Sequence, residues 1–237
     1  GDACAFDDAV VRFGNGFVKA KAIDDRAGCA AMLELLESRL PCDCWFAFTV
    51  QEEVGCRGAS VAARSVLPDI ALILETTTAA DLAGVKGADR VCRLGGGVVL
   101  PFMDRSTIYD RALFRMLGAL ADENGIKWQT KTRVAGGTDA SAIQRGGMGA
   151  AVAAISVPVR NIHSPASVWL TALLVLSGAA AGVLAYRSLV TELAVSTASD
   201  VVIQSVNAIV KDLMRSGAGD GLVSLEKRAD GSVSAVT

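Results

Sequence analysis

Polar and apolar residues alternate along residues 8–20 (DAVVRFGNGFVKA) around Gly14-Asn15-Gly16, which predicts a β-hairpin. From Asp25 the period lengthens. Ala30, Leu33, Leu35, Leu36 and Leu40 recur at helical spacing, predicting a helix over 26–40 with Pro41 just past its end. Residues 45–50 (WFAFTV) are almost continuously apolar and short enough for a buried strand. Further on, 59–66 reads as a helix, 70–74 (IALIL) as a second buried strand and 84–98 as a loop. Residues 108–123 read as an amphipathic helix, 128–132 as a strand, 139–145 as a short helix and 149–157 (GAAVAAISV) as a small-residue buried strand. Strands alternating with helices predict an α/β domain with a largely parallel, covered sheet.

The texture changes after Pro165. Residues 168–186 (VWLTALLVLSGAAAGVLAY) are 19 positions without a charge, with Trp169 and Tyr186 near the ends. As a helix this stretch is about 28 Å long, close to the ~30 Å hydrocarbon core of a bilayer. A membrane span at 168–186 is the expectation, and a buried core helix is its alternative. Residues 189–215 follow as an amphipathic helix with Val202, Val206, Ile209 and Leu213 on one face. The tail carries Asp230-Gly231 between alternating segments, a second hairpin signal.

Composition narrows the classes. The 237 residues carry 23 Lys and Arg against 25 Asp and Glu, a formal charge of −2, which lacks the basic footprint of a nucleic-acid binder. A mean hydropathy of +0.41 excludes disorder over the whole chain. Six cysteines without a C-x-x-C pair read as reduced thiols of a cytoplasmic protein rather than a disulfide scaffold or zinc ribbon. The chain opens on Gly-Asp-Ala within a β-like segment and reads as a fragment.

Chemistry concentrates in four places. KAIDDR holds Asp24, FTVQEEVG holds Glu52 and Glu53, LILETT holds Glu75, and IHSP holds His163, the one histidine. The glutamates follow two apolar runs directly and His163 comes shortly after a third, so all fall where α/β sheets gather their sites. Carboxylates with an imidazole suit a divalent ion such as zinc, cobalt or manganese. Each segment also has a plain structural use: Asp-Asp-Arg as a helix cap with a salt bridge, Glu-Glu as a solvated pair, His163 as a satisfied polar residue. The glycine turn at Gly136 and Gly137, capped by Thr138 or Asp139, equally starts a helix. Arg105 and Arg133 are expected in surface salt bridges.

Residues 1–167 resemble the catalytic domain of the M42 metallo-aminopeptidases, through KAIDDRAG, FTVQEEVGCRGA, ALILETTTAADLAGV, FMDRSTIYDR, AGGTDASAI and ISVPVRNIHSPASV in family order. The resemblance implies an α/β/α sandwich of the zinc-peptidase type, truncated at its N-terminus. It implies peptide substrates and two divalent metal ions, zinc or cobalt. Asp24 would bridge the two ions, Glu53 and His163 would complete one site, Glu75 would serve the other, and Glu52 would be the general base. Gly137, Thr138 and Asp139 would line the substrate pocket. The Asp24–Asp25 peptide bond, typically cis in the family, is expected to be cis here.

Two departures shape the expectation. The family's upstream His-x-Asp motif has no counterpart in these residues, so the Glu75 site is short by a ligand and the chain alone is expected to be weakly active or inactive. The insertion domain through which family members form homo-oligomers is absent as well. From about Trp169 the sequence instead resembles YunB-type sporulation membrane proteins. That gives the expected division: 1–167 peptidase-like, 168–187 an apolar helix that could contact a membrane, and 188–237 a small α+β tail. A membrane-anchored, non-enzymatic sporulation protein, or a chimeric fusion, is the alternative function.

Overall fold

The computed structural model describes residues 4–7, 9–40 and 42–169, together with the strand backbones 225–227 and 233–236. The chain divides into two units, 1–185 and 186–237. In the first, strands β1 (Val11–Phe13) and β2 (Phe17–Ala20) form the hairpin read from the sequence, with the turn at Gly14–Gly16. Strand β7 (Ala166–Trp169) adds to β2 antiparallel, Val18 opposite Val168. This corrects the reading of an apolar helix from Val168: its first two residues lie in a strand, and Val168 is buried there. Pairing with β2 satisfies their backbone groups, which a helical period does not foresee. The rest of 168–186, and the amphipathic helix of 189–215, lie outside the described residues. Among the described residues, no helix is long and apolar enough to cross a membrane.

A second sheet has the order β3-β6-β4-β5, with β3 Ile70–Thr78, β6 Ala151–Val159, β4 Val98–Val99 and β5 Trp128–Gln129. Strands β3 and β6 run parallel over nine paired positions, Ile70 opposite Ala151 through Thr78 opposite Val159. Strands β4 and β5 are also parallel, but β4 meets β6 antiparallel, so the sheet is mixed rather than largely parallel. The antiparallel step rests on one paired position, Val99 opposite Ser156, and strands as short as β4 and β5 carry no periodic signal. Strand β5 is correspondingly shorter than 128–132, and the Thr132 N–H beyond it donates to the Val91 carbonyl.

The helices are α1 (Ile23–Glu37), α2 (Arg57–Val66), α3 (Arg111–Glu123) and α4 (Ala140–Gln144). Asp110 caps α3, its carboxylate accepting from the Leu113 N–H. Ile73 of β3 packs with Val152 and Ala154 of β6, Ala140 of α4 and Tyr109, forming one core cluster. A second joins Ala79, Val91, Cys92 and Val99. None of the six cysteines is in a disulfide.

The largest departure is at residues 45–50. The predicted buried strand pairs with no strand among the described residues, and Trp45, Phe48 and Val50 are exposed. Apolar content alone signalled burial, yet a run is buried only where a partner covers it. Thr49 donates to Asp139, and the Val50 carbonyl accepts from the Gly58 N–H.

In the second unit, β8 (Leu225–Lys227) and β9 (Val233–Val236) pair antiparallel, Leu225 opposite Val236, as the Asp230-Gly231 signal predicted.

Candidate metal centre

The centre is built on a break in α1. Ala22 is left-handed, Asp24 and Asp25 have non-helical dihedrals, and the Asp24–Asp25 peptide bond is cis. The regular helix starts only after this corner. Gly28 of α1 lies against β3 so closely that a Cβ there would stand 2.4 Å from the Leu74 carbonyl oxygen and 2.2 Å from Asp25 Oδ2. Its N–H donates to Asp25 Oδ1 at 2.9 Å. Gly28→Ala is therefore expected to cost the roughly 1–3 kcal/mol of an overpacked contact and to displace Asp25. Thermal unfolding of the variant checks the first effect, and its metal content the second.

Strand β3 supplies the second wall. It extends past the predicted end at Leu74, so Glu75 stands within the strand, opposite Ser156, rather than at its tip. Glu75 is 8% exposed, and Thr76 and Thr77 beside it are buried too. Buried polar groups need partners, and these have them. Thr76 Oγ1 donates to Asp24 Oδ1 at 2.8 Å, and the Thr76 N–H donates to Glu75 Oε1 at 2.8 Å.

Glu52 and Glu53 come from a turn. Gln51 and Cys56 are left-handed at either side, and the Gly55 and Cys56 N–H groups both donate to the Glu52 carbonyl. The two side chains diverge because of this turn, not because of the pleat of a strand. Glu53 goes to His163, whose Nε2 lies 3.2 Å from Glu53 Oε2 and 3.2 Å from Asp24 Oδ2. Glu52 goes instead to Cys56 and Asp139. His163, left-handed at φ 66°, sits four residues past the end of β6.

Asp24, Glu53 and His163 thus offer ligand atoms within 4.8 Å of one another, and so do Asp24, Asp25 and Glu75. The two groups share Asp24. All four residues expected to hold metal converge, from four separate stretches of the chain. Asp25 was missing from the expected set; its adjacency to Asp24 was the available signal. An imidazole with two carboxylates fits a divalent ion, and three packed carboxylates fit only if something neutralises them. Burial, then the charges of Asp25 and Asp24, pushes the Glu75 carboxyl well above its ordinary range. Burial likewise raises Asp25, with Asp24, Glu52 and Asp139 adding to it against the Gly28 hydrogen bond. Burial and then Asp139 and Glu53 raise Glu52.

The expected substrate-lining residues divide. Asp139 joins Glu52 and Cys56. Thr138 is buried, accepts from the Ala140 N–H at the start of α4 and lies 3.3 Å from the Tyr109 hydroxyl, so it has the capping role. Gly137 is exposed, its absent Cβ 2.7 Å from Ser106 Oγ. Arg133 pairs with Asp89 on the surface as expected. For Arg105 the described contact is that of its N–H with the Gly136 carbonyl.

The α/β unit with its mixed sheet thus carries two carboxylate-rich groups that share one aspartate, a donor set that suits divalent ions. Residues 1–172 match the model of the M42 glutamyl aminopeptidase family, and the chain belongs to that family. It is similar to the glutamyl aminopeptidase of Lactococcus lactis subsp. cremoris, 37% identical over 150 residues that cover 61% of this chain and 41% of that protein. Among solved structures it is similar to aminopeptidase APDkam598 of the archaeon Desulfurococcus kamchatkensis, with TM-score 0.73, 34% identity, and 76% and 52% of the two chains covered. The Pyrococcus horikoshii TET1 peptidase, described as assembling into a tetrahedron or an octahedral shell, gives TM-score 0.65 at 32% identity, covering 74% and 52%. The chain spans about half the length of the curated relatives it matches.

Proposed function

We propose that this chain carries the metal-holding part of an aminopeptidase that removes N-terminal residues from peptides. The observation that carries the reading is the sharing of Asp24 between the His163–Glu53 group and the Glu75–Asp25 group. Asp24, Glu53 and His163 would hold one divalent ion, zinc or cobalt, and Asp24 with Glu75 a second. The chemistry such ions supply is acidification of water towards a pKa of ~7 and polarisation of the scissile carbonyl.

Glu52 then accepts the water proton and passes it to the leaving amine. Its raised affinity for a proton, caused first by burial, brings it nearer the working pH of a base that must also give the proton back. Its turn away from Glu53 keeps it out of the two groups that share Asp24. Asp139, beside Glu52, would receive the free α-amino group of a peptide, which would restrict cleavage to chain ends.

Two adjacent glutamates with different tasks make a sharp test. Under enzyme excess on aminoacyl-p-nitroanilides with cobalt, Glu52→Gln is expected to slow hydrolysis by about 10²–10⁴-fold with bound metal unchanged. Glu53→Gln is expected to lose metal as well. Equal metal loss in both variants would remove the division of roles.

The Glu75 group offers only carboxylates in addition to the shared Asp24. We therefore expect weak turnover from these 237 residues alone. Family-like rates with added cobalt or zinc would overturn that. The sporulation-protein expectation for the residues after Trp169 falls outside the described residues except for the β8–β9 pairing, which does not bear on it, and adds no function to this reading.

A further inference from the structure

Glu52 has a second neighbour, Cys56, to which the proposed hydrolysis gives no part. Cys56 Sγ stands 3.7 Å from Glu52 Oε1. One ligand atom each from Glu52, Cys56 and Asp139 lies within 4.8 Å of the others. Sulfur at about 2.3 Å and oxygen at about 2.0 Å from a tetrahedral zinc ion are themselves about 3.5 Å apart. The thiol and the carboxylate are already separated as two ligands of one ion would be.

Asp139 provides an independent sign. Its Oδ2 accepts from Thr49, while its Oδ1 is buried and has no hydrogen-bond partner among the described residues. A buried carboxylate oxygen without a donor is costly, and a cation would satisfy it. The backbone holds the set in place: Cys56 is fixed in a left-handed conformation at the start of α2, Asp139 at the start of α4, and α2 packs against α4. One sulfur with two carboxylates selects a borderline-soft ion over magnesium or calcium.

We propose that Cys56, Glu52 and Asp139 form a third, thiolate-containing site for zinc or cadmium, separate from the two groups that share Asp24. Binding forms one metal–sulfur bond and releases the thiol proton to solvent, with no change of oxidation state. Occupation engages the carboxylate assigned above to proton transfer, so its regulatory meaning rests on the peptidase reading. The existence of the site does not.

Cadmium titrated into the full chain, followed by its thiolate charge-transfer absorbance in the ultraviolet, tests it. The unmodified chain is expected to give a band that Cys56→Ser loses and that a Cys42→Ser, Cys44→Ser double variant keeps. Asp139→Asn is expected to weaken the titration at least tenfold, and Asp24→Asn to leave it unchanged. No band, or a band that survives Cys56→Ser, overturns the site. A band lost in Asp24→Asn assigns the sulfur to the shared centre and overturns a separate one. If Cys56→Ser does not fold by circular dichroism, Asp139→Asn decides, and an unchanged titration there overturns the proposal. Hydrolysis that continues undiminished while the band is present would instead count against the part given to Glu52 in the peptidase reading.

Discussion

Asp24→Asn is expected to strip the chain of both tightly held divalent ions. No other side chain stands in both ligand groups, and it is the one that brings His163 and Glu53 within reach of the same centre as Glu75. Its packing should survive the change, because an amide oxygen can still accept from Thr76 Oγ1 as Asp24 Oδ1 does. Residues that merely support ligands alter metal affinity about 10–100-fold, so removing a charged ligand shared by two ions should exceed that. Dialysis against cobalt or zinc followed by elemental analysis measures it. A variant that retains the unmodified chain's metal at unchanged affinity would mean that the acids are structural, and the two-metal reading would fall.

Without metal, the chain is expected to lose stability as the solution becomes more alkaline. Glu75 is pushed up to about 10 and Asp25 up to about 8, burial being the first cause in each. In the unfolded chain both ionise near pH 4. The folded state therefore holds more protons than the unfolded state from about pH 4 upward, and stability falls as pH rises through that window. The contribution is fully present below the unfolded values and is gone above the folded ones. Divalent metal reverses the slope, because ions favour the same carboxylates ionised. An ion at a thousand times its Kd adds about 4.1 kcal/mol. At about 2–4 °C per kcal/mol for a domain of this size, that is on the order of 10 °C. Unfolding midpoints of the chelator-treated and cobalt-loaded chain across pH 4–9 provide the check. A metal-free midpoint that rises with pH across this range would contradict the burial of these carboxyls.

What was legible in the sequence follows from how far each signal reaches. The Gly14-Asn15-Gly16 turn, the α2 and α3 helices and the β8–β9 hairpin are local patterns, and local geometry realises them. Asp24, Glu53, Glu75 and His163 were legible as a set through their motifs. Their distances were not, because each depends on pairings between remote segments, such as β3 with β6. The strand at 45–50 failed for the same reason: apolar residues announce a wish for burial, not the presence of a cover. Val168 and Trp169 read as the start of a helix because a 19-residue uncharged run hides a strand pairing fixed by Phe17 and Val18. Asp139 drew notice as a possible cap or substrate contact, but nothing in the order of residues placed it beside Cys56.

Strand β3 is two materials in one rod. Its first five residues are aliphatic and hold the sheet together; the next are Glu75 and three threonines, and Glu75, Thr76 and Thr77 are buried where Ile70, Ala71 and Leu72 are only half-buried. Selection for a sturdier molecule and selection for a reactive one thus act on neighbouring positions of a single strand, in opposite directions. An aliphatic residue at position 75 would relieve the crowding of acids and leave a tougher but inert protein. A carboxylate at this position, where durability alone favours an aliphatic residue, marks the place at which this fold gives up robustness for chemistry.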